Sequence, residues 1–254
     1  MKIKKLLLVC MSVVFITACT STKVEDNKKT NNLKVKYSVE KISDNFDYLK
    51  SSISFPQFDD YPVLNKTIKN SVENYYDSFK RYAESDWKEL AEIRAKDNAK
   101  LPPFDYNVSF EVSQTSDFIS VLLRTYIYDG GAHGSTNLSA YNFSKKNNKF
   151  VNIVEATGLS YKELSQYCNA ELTKKFLKDN SQGISDQEII EWVNEGTFPT
   201  PDNYEIFMLH ENFVVVYFEE YSVAPYVYGE QSVKVPFNTS GQGTRPSSPW
   251  LGRF

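Results

Sequence analysis

The residue types best suited to chemistry occur in a glycine-rich segment, Asp129-Gly130-Gly131-Ala132-His133-Gly134. An imidazole can donate a proton, accept one or bind a metal near neutral pH. Glycines permit positive φ and close backbone approach, so successive N–H groups here could form a nest for an anion. In a purely structural interpretation, the segment joins two strands, glycine supplies the turn, and His133 hydrogen-bonds across it. Because a strand pattern follows in place of a helix, the segment does not fit a phosphate-binding loop.

The other candidates form no recognisable catalytic arrangement. His210 lies in Leu209-His210-Glu211-Asn212, which predicts a turn between two strands. Cys10 and Cys19 belong to the predicted signal and lipidation site described below, so only two histidines and Cys168 are left, too few ligands for a Cys/His zinc site, whereas a mixed His/carboxylate site stays open. No nucleophile-elbow sequence accompanies His133, and the spacing of the acidic residues picks out no glycosidase pair. We therefore predict no metal site and no cofactor, and the sequence gives little support for an enzyme.

A second chemical feature is the aromatic segment that runs from Phe218 to Gly229. If its tyrosine rings are exposed, they supply rigid contact area for a protein or sugar partner. If they are buried, they close the end of a sheet. The candidate ligand-binding residues of this segment are Tyr221, Pro225, Tyr226 and Tyr228.

The N-terminal segment predicts export and lipidation. A basic stretch, Met1 to Lys5, precedes an uncharged apolar run, Leu6 to Ile16, that is too short to span a bilayer core. Small residues then precede Cys19 directly, and this pattern resembles the signal of bacterial lipoproteins. In such a protein residues 1–18 are removed, and acyl chains on Cys19 hold the domain to a membrane. An ordinary secretory signal and an uncleaved anchor are the alternatives.

Charge and composition describe the exported part. Loss of residues 1–18 removes three lysines and no acid, so the remaining 236 residues carry a formal net charge of −6 in place of −3. This acidic balance disfavours binding to nucleic acid, which needs surplus Lys and Arg. Seventeen Phe and 17 Tyr are too many for a disordered chain. Cys168 has no disulfide partner once Cys10 and Cys19 are accounted for, and its helical spacing predicts a buried thiol. We expect a folded monomer.

Periodicity predicts an α+β fold. A polar tether covers residues 19–32, and a loose tail rich in Ser, Gly and Pro covers 239–254. Apolar residues at three- and four-residue steps predict one long helix from Val63 to about Asn98. Later helices are predicted at 160–178, with Ser160 and Glu163 as a capping box, and at 185–193. We expect mostly antiparallel sheets packed against the long helix and one or two later helices. Strand patterns cover residues 33–39, 53–58, 104–114, 118–128, 136–144, 204–209, 212–218 and 231–235.

Several of these pieces together resemble a bacterial envelope family. It is the paired domains of unknown function in the extracytoplasmic part of the anti-sigma factor RsiV and the N-terminal part of the peptidoglycan deacetylase PdaC. The resemblance covers about residues 34 to 238, with an N-terminal module at 33–145 and a C-terminal module at 146–238. The matching pieces are Phe55-Pro56-Gln57-Phe58 followed by Leu64-Asn65, the turn from Gly130 to Gly134, the helix after Phe150, the Val214–Phe218 strand with Ala224-Pro225-Tyr226, and Val233-Lys234-Val235-Pro236.

The resemblance implies an α+β module that binds an extracellular partner, which is lysozyme in the anti-sigma case, and it does not imply catalysis. The chain has neither the length nor the ligands for the deacetylase's separate metal-dependent domain. A lipoprotein signal replaces the cytoplasmic segment and transmembrane helix that an anti-sigma factor needs. We expect a lipid-anchored, extracytoplasmic envelope lipoprotein that binds lysozyme or peptidoglycan. The alternatives are a cell-wall polymer hydrolase that uses His133 as acid or base, and a structural lipoprotein without a small ligand.

Overall fold

The computed structural model describes residues 34–96, 98–179 and 183–237, which belong to one compact unit. Within these residues, nine strands form two sheets and four α-helices pack with them, which confirms the predicted α+β class. The predicted signal at 1–18, the lipidation site Cys19, the tether at 19–32 and the tail at 239–254 lie outside the described residues. The strands are β1 Tyr37–Ile42, β2 Leu49–Phe58, β3 Phe104–Gln114, β4 Phe118–Tyr128, β5 Ser135–Ser144, β6 Lys149–Phe150, β7 Phe207–Leu209, β8 Phe213–Phe218 and β9 Gln231–Pro236; the helices are α1 Pro62–Lys96, α2 Ile153–Thr157, α3 Tyr161–Lys178 and α4 Asp186–Gly196.

The larger sheet has the strand order β1-β2-β3-β4-β5-β6. Its neighbouring strands are antiparallel except β2 and β3, which run parallel because α1 carries the chain back to the same end of the sheet. The predicted hairpin between β3 and β4 turns at Thr115, whose Oγ1 accepts hydrogen bonds from the N–H groups of Asp117 and Phe118 at 3.2 and 3.0 Å. The long β3–β4–β5 meander forms the centre of this sheet.

Helix α1 confirms the predicted apolar stripe. Its buried residues lie on one face, which packs on β2 and β3, and each fully buried large side chain stabilises the fold by about 1.5–3 kcal/mol. The helix ends at Lys96, two residues before the predicted end, since Asn98 takes the left-handed conformation with φ +54° that commonly follows a helix. The buried residues are Leu64, Ile68, Val72, Tyr76 and Ala83.

The Phe-Pro-Gln-Phe piece lies in β2, where Pro56 predicts a strand edge or a strand end. Strand β2 is interior to the sheet, but it pairs with β3 only from Leu49 to Ile53. Beyond Ile53 one side of β2 has no partner strand among the described residues, so Pro56 is accommodated there. At the end of the strand, the Asn65 side chain accepts from the N–H of Phe58 and donates to its carbonyl, each at 2.8 Å, in place of strand pairing.

The smaller sheet has the order β7-β8-β9 and packs with α3 and α4 around a second core. Helix α3 begins at the predicted capping box, in which Ser160 Oγ accepts from the Glu163 N–H and Glu163 Oε2 accepts from the Ser160 N–H. Cys168 lies in this core as predicted, and burial raises the pKa of its thiol to about 12. Such a thiol is a small apolar group in its ground state.

A buried polar network joins the two sheets. Ser120 of β4 donates to Asn142 Oδ1 at 2.6 Å and accepts from the Leu209 N–H at 3.0 Å. The Asn142 amide then donates to the Phe207 carbonyl at 2.8 Å. Because both polar side chains are buried with hydrogen-bond partners, the network fixes β7 against the larger sheet and leaves neither side chain unpaired.

Candidate aromatic binding site

The glycine-rich segment forms the turn between β4 and β5. Gly130 has φ +89°, which strains any residue with a side chain, and a Cβ there would lie in tight contact, 3.1 Å from the Phe104 ring. A Cβ at Gly134 would lie 2.4 Å from Tyr126 Oη, whereas Gly131 has no neighbour closer than 3.7 Å. Two of the three glycines therefore have structural reasons to be present.

His133 is exposed at the tip of this turn, and its ring stacks on that of Tyr226 with centroids 4.2 Å apart and planes inclined by 24°. Its Nδ1 lies 2.9 Å from the Gly134 carbonyl oxygen. A carbonyl can only accept, so Nδ1 carries the proton and donates in this contact. Within the described part of the chain, no carboxylate hydrogen-bonds to the His133 ring. The imidazole is thus held as one face of an aromatic surface.

Tyr226 brings the aromatic segment to the turn. Its hydroxyl donates to the same Gly134 carbonyl at 3.2 Å, and its ring centroid lies 5.6 Å from that of Tyr221. Tyr221 has φ +68° and leaves 54% of its surface exposed. Partial burial, as the larger cause, and the negative charge of Glu220, as the smaller one, raise the pKa of Tyr226, so the Tyr226 hydroxyl keeps its proton at neutral pH. We call the rings of His133, Tyr221 and Tyr226 the aromatic cluster.

The structure does not bring the other two candidate ligand residues into the aromatic cluster. Tyr228 packs its ring edge-on against Phe176 of α3 at 5.0 Å, and its buried hydroxyl has no hydrogen-bond partner in the described part of the chain. Pro225 precedes the short 3₁₀ turn Tyr226–Tyr228, and its carbonyl accepts from the Tyr228 N–H at 3.0 Å. Tyr228 therefore packs the aromatic segment against α3, and Pro225 begins the turn. That either residue contacts a ligand directly stays a prediction.

Two residues that sequence reasoning missed hold the aromatic segment in place. Gly196, the last residue of α4, lies so close to the segment that an added Cβ would be 1.9 Å from the Ser222 carbonyl oxygen. At the start of the segment, Glu219 Oε1 accepts from the Leu138 N–H of β5 at 2.6 Å. A glycine at a helix end is too common a pattern to reveal the first contact, and nothing local indicates the second.

His210 lies in the turn between β7 and β8, as predicted. Its ring stacks on Phe213 at 4.4 Å, and its Nδ1 lies 3.2 Å from Ser113 Oγ. Burial, assisted by the positive charge of Lys234, lowers the pKa of His210 and favours the neutral ring. No group of three or more His, Cys, Asp or Glu residues is arranged to hold a metal ion in the regions that the structure describes.

Two family models match consecutive parts of the chain. The model described as deacetylase PdaC matches residues 42–136, and that of a protein of unknown function, DUF3298, matches residues 158–238. The chain therefore resembles a PdaC domain followed by a DUF3298 domain. The predicted module boundary at 145 lies between the two matches and stays a prediction. His133 lies in the part that matches the PdaC model and Tyr221 and Tyr226 lie in the part that matches the DUF3298 model, so both matched parts contribute to the aromatic cluster.

Individual relatives agree with this pairing. The chain is 25% identical over 178 residues to peptidoglycan-N-acetylmuramic acid deacetylase PdaC of Bacillus subtilis (strain 168). This match covers 69% of the chain and 36% of that protein. The chain therefore spans just over a third of the length of this relative. The predicted resemblance to the paired domains in PdaC is confirmed.

Solved structures share the fold of both domains together. Crystal structures of DUF3298 family proteins from Pseudomonas aeruginosa PAO1 and Bacteroides fragilis NCTC 9343 each match with a TM-score of 0.54, at 17% and 16% identity. Each match covers 80% of this chain, and 92% and 91% of the respective structures. Among the described helices of the chain, none combines the length and apolar character needed to cross a membrane.

Proposed function

We propose that this chain is a non-catalytic module that binds the glycan of the bacterial cell wall and is held in the envelope by lipid on Cys19. The observation that carries the proposal is the aromatic cluster, in which the glycine-rich turn and the aromatic segment meet although they are about 90 residues apart in sequence. The name of the Bacillus subtilis relative, a peptidoglycan deacetylase, supports the choice of cell-wall glycan as ligand.

The chemistry of the cluster suits a sugar. A pyranose ring has an apolar face of C–H groups, which packs well on the face of an aromatic ring, and a polar edge that stays hydrated. The Tyr226 ring is fixed by its hydrogen bond to Gly134 and by its stacking on His133. Rings that are already ordered lose little side-chain entropy on binding, so more of the contact energy appears as affinity.

Retention on cell-wall material tests the proposal. The full chain in mild detergent is incubated with insoluble peptidoglycan sacculi and, separately, with immobilised lysozyme. We expect retention on sacculi that weakens at least about fivefold in Tyr226→Ala, because truncating a central interface aromatic commonly costs more than about 1 kcal/mol. Tyr75→Ala is the matched control, since Tyr75 is 68% exposed on α1 and belongs to no part of the cluster.

The same experiment separates the competing functions. Retention on lysozyme alone would replace the glycan by a protein ligand, and retention on neither would overturn the binding function. Release of soluble muropeptides from the sacculi, lost in His133→Ala, would replace the proposal by the hydrolase alternative. That alternative needs an acid or base partner for His133, and the ring contacts a second aromatic ring and a carbonyl in the described part of the chain.

The lipid anchor has its own test. Metabolic labelling of the full chain with palmitate in a bacterial host is expected to give a labelled band that Cys19→Ala abolishes. Labelling that persists in Cys19→Ala would remove Cys19 from the proposal and leave the binding function to be judged on sacculus retention.

A further inference from the structure

A concave surface that shares no residue with the aromatic cluster lies between the two domains. It is an open cleft of about 690 Å³. Its lining comes from Thr67 of α1, from residues of β5, β6 and α2, and from Tyr161, Pro201, Tyr204, Glu205 and Phe207. This volume falls within the range of small-molecule sites, which occur preferentially at domain interfaces. Nothing in the proposed function uses this cleft.

Aromatic rings that pack against buried rings of the two cores form part of the cleft wall. Phe150 packs edge-on against the buried Phe143 ring at 5.1 Å, and Tyr161 packs against the buried Tyr204 ring at 6.0 Å. Because the supporting rings are in the two cores, the wall is rigid before any ligand arrives. A rigid aromatic wall suits a ligand with a flat apolar face.

The charge of the cleft is entirely acidic. Its charged lining residues are Glu155 and Glu205, and no Lys, Arg or His lines it within the described ranges. Glu155 is engaged, since it lies 3.3 Å from Lys149 Nζ and accepts from the Asn152 N–H as part of a helix cap. Glu205 is exposed and makes no hydrogen bond or ion pair with the described residues. The cleft therefore disfavours anions and offers one available carboxylate to a cation.

We propose that this cleft binds a sugar that carries a free, protonated amino group. The C–H face of the sugar packs on the aromatic wall, and its ammonium group pairs with Glu205 while aromatic faces add cation–π attraction. A peptide amine supplies the same charge but no flat apolar face. The inference rests on the proposed function in one respect, which is that the amino sugar belongs to cell-wall glycan.

Calorimetric titration of the full chain tests the cleft with three probes: the glucosamine disaccharide with both amines free, its di-N-acetylated form, and dilysine. We expect the cationic disaccharide to bind about fivefold more tightly than the neutral one at low salt, which corresponds to the upper end of the range for an exposed ion pair. Glu205→Gln should remove this preference while keeping the side-chain size. Glu92→Gln, which makes the same change of net charge on an exposed part of α1, should keep it.

Each remaining outcome overturns the proposal. The proposal is wrong if the two disaccharides bind equally or if neither binds. It is also wrong if dilysine binds as tightly as the cationic sugar, or if the preference for the cationic sugar survives Glu205→Gln. These failures are distinguishable from failure of the proposed function, because Tyr226-dependent retention on sacculi does not involve the cleft.

Discussion

Replacing Gly196 by alanine tests how the aromatic segment is positioned. The added Cβ would lie 1.9 Å from the Ser222 carbonyl oxygen and 2.6 Å from Val223 Cγ1. Carbon contacts are favourable only at about 3.5 Å and beyond, so one backbone must move by more than about 1 Å. The carbonyl belongs to the main chain of the aromatic segment and cannot rotate away as a surface side chain would. The displacement is therefore transmitted toward Tyr226.

The expected free-energy change has two parts of opposite sign. Alanine in place of glycine favours a helix by up to about 1 kcal/mol, although less at a helix end. Overpacking a buried contact costs about 1–3 kcal/mol, and more when backbone must move. We expect the free energy of unfolding to fall by about 1–2 kcal/mol, which lowers Tm by about 2–8 °C for a domain of this size.

Thermal melts followed by circular dichroism, together with sacculus retention at 25 °C, measure both consequences. The matched control is Gly131→Ala, where the nearest neighbour of an added Cβ is 3.7 Å away, and we expect its Tm to stay within about 2 °C of the parent. Gly196→Ala should lower Tm and weaken retention while most of the protein remains folded. An unchanged Tm together with unchanged retention in Gly196→Ala would refute the reasoning.

Three further predictions concern the cores and the ion pairs. Ser120→Ala leaves a buried backbone N–H of β7 unpaired, so urea titrations should show a free energy of unfolding that is lower by about 1–3 kcal/mol. A decrease below about 0.5 kcal/mol, which is typical of a surface substitution, would contradict the role of the network. Hydrogen bonds from the Lys80 ammonium, as the larger cause, and from the Tyr76 hydroxyl lower the pKa of Asp44, so the stabilisation by the ionised carboxylate is present above about pH 4 and is lost as pH falls through the folded-state pKa. The difference in the free energy of unfolding between the parent and Asp44→Asn should therefore shrink below about pH 4, and a difference that stays constant would contradict this ion pair. Burial should make Cys168 resist iodoacetamide at pH 8 until the chain is unfolded, as read from mass spectrometry of its peptide, and rapid labelling of the folded protein would contradict the buried thiol.

Local patterns account for the elements that the sequence predicts well. The long helix is predictable because an apolar stripe with helical spacing, sustained over more than thirty residues, is typical of a helix and rarely arises in strands or loops; its packed face contains the expected Leu64, Ile68 and Val72. The capping box at Ser160 and the turn at Thr115 are equally local, because each consists of hydrogen bonds between residues two or three apart. Such features need no knowledge of the rest of the fold.

Errors appear where distant contacts override local pattern. The strand predicted at 204–209 is reduced to β7 because Pro201–Tyr204 forms a 3₁₀ turn, in which the Tyr204 hydroxyl donates to the Thr197 carbonyl at 2.7 Å. The strand predicted at 53–58 begins four residues earlier, where β2 pairs in parallel with β3 across the whole length of α1. Neither effect has a signal within a window of ten residues.

The candidate site was predicted only in part for the same reason. Composition identifies His133 and the tyrosines as unusual, but their meeting depends on Gly134, on Gly196 and on the docking of both domains. Tyr228 has the same residue type as Tyr226 and lies two positions away, yet its ring points into the smaller-sheet core. Which of two neighbouring rings faces solvent is decided by α3, and periodicity in a short irregular segment cannot indicate it.

The polar network between the sheets has a consequence for how such proteins can evolve. A chimera that joins the β1–β5 part of one such protein to the part from β7 onward of another must supply Ser120 and Asn142 opposite the β7 backbone, or else bury unpaired N–H and C=O groups. Apolar surfaces tolerate such exchange because they only need to fit in volume, whereas hydrogen bonds need matching partners at set positions. The two halves are therefore expected to be inherited as one unit, and free recombination at their junction should be selected against.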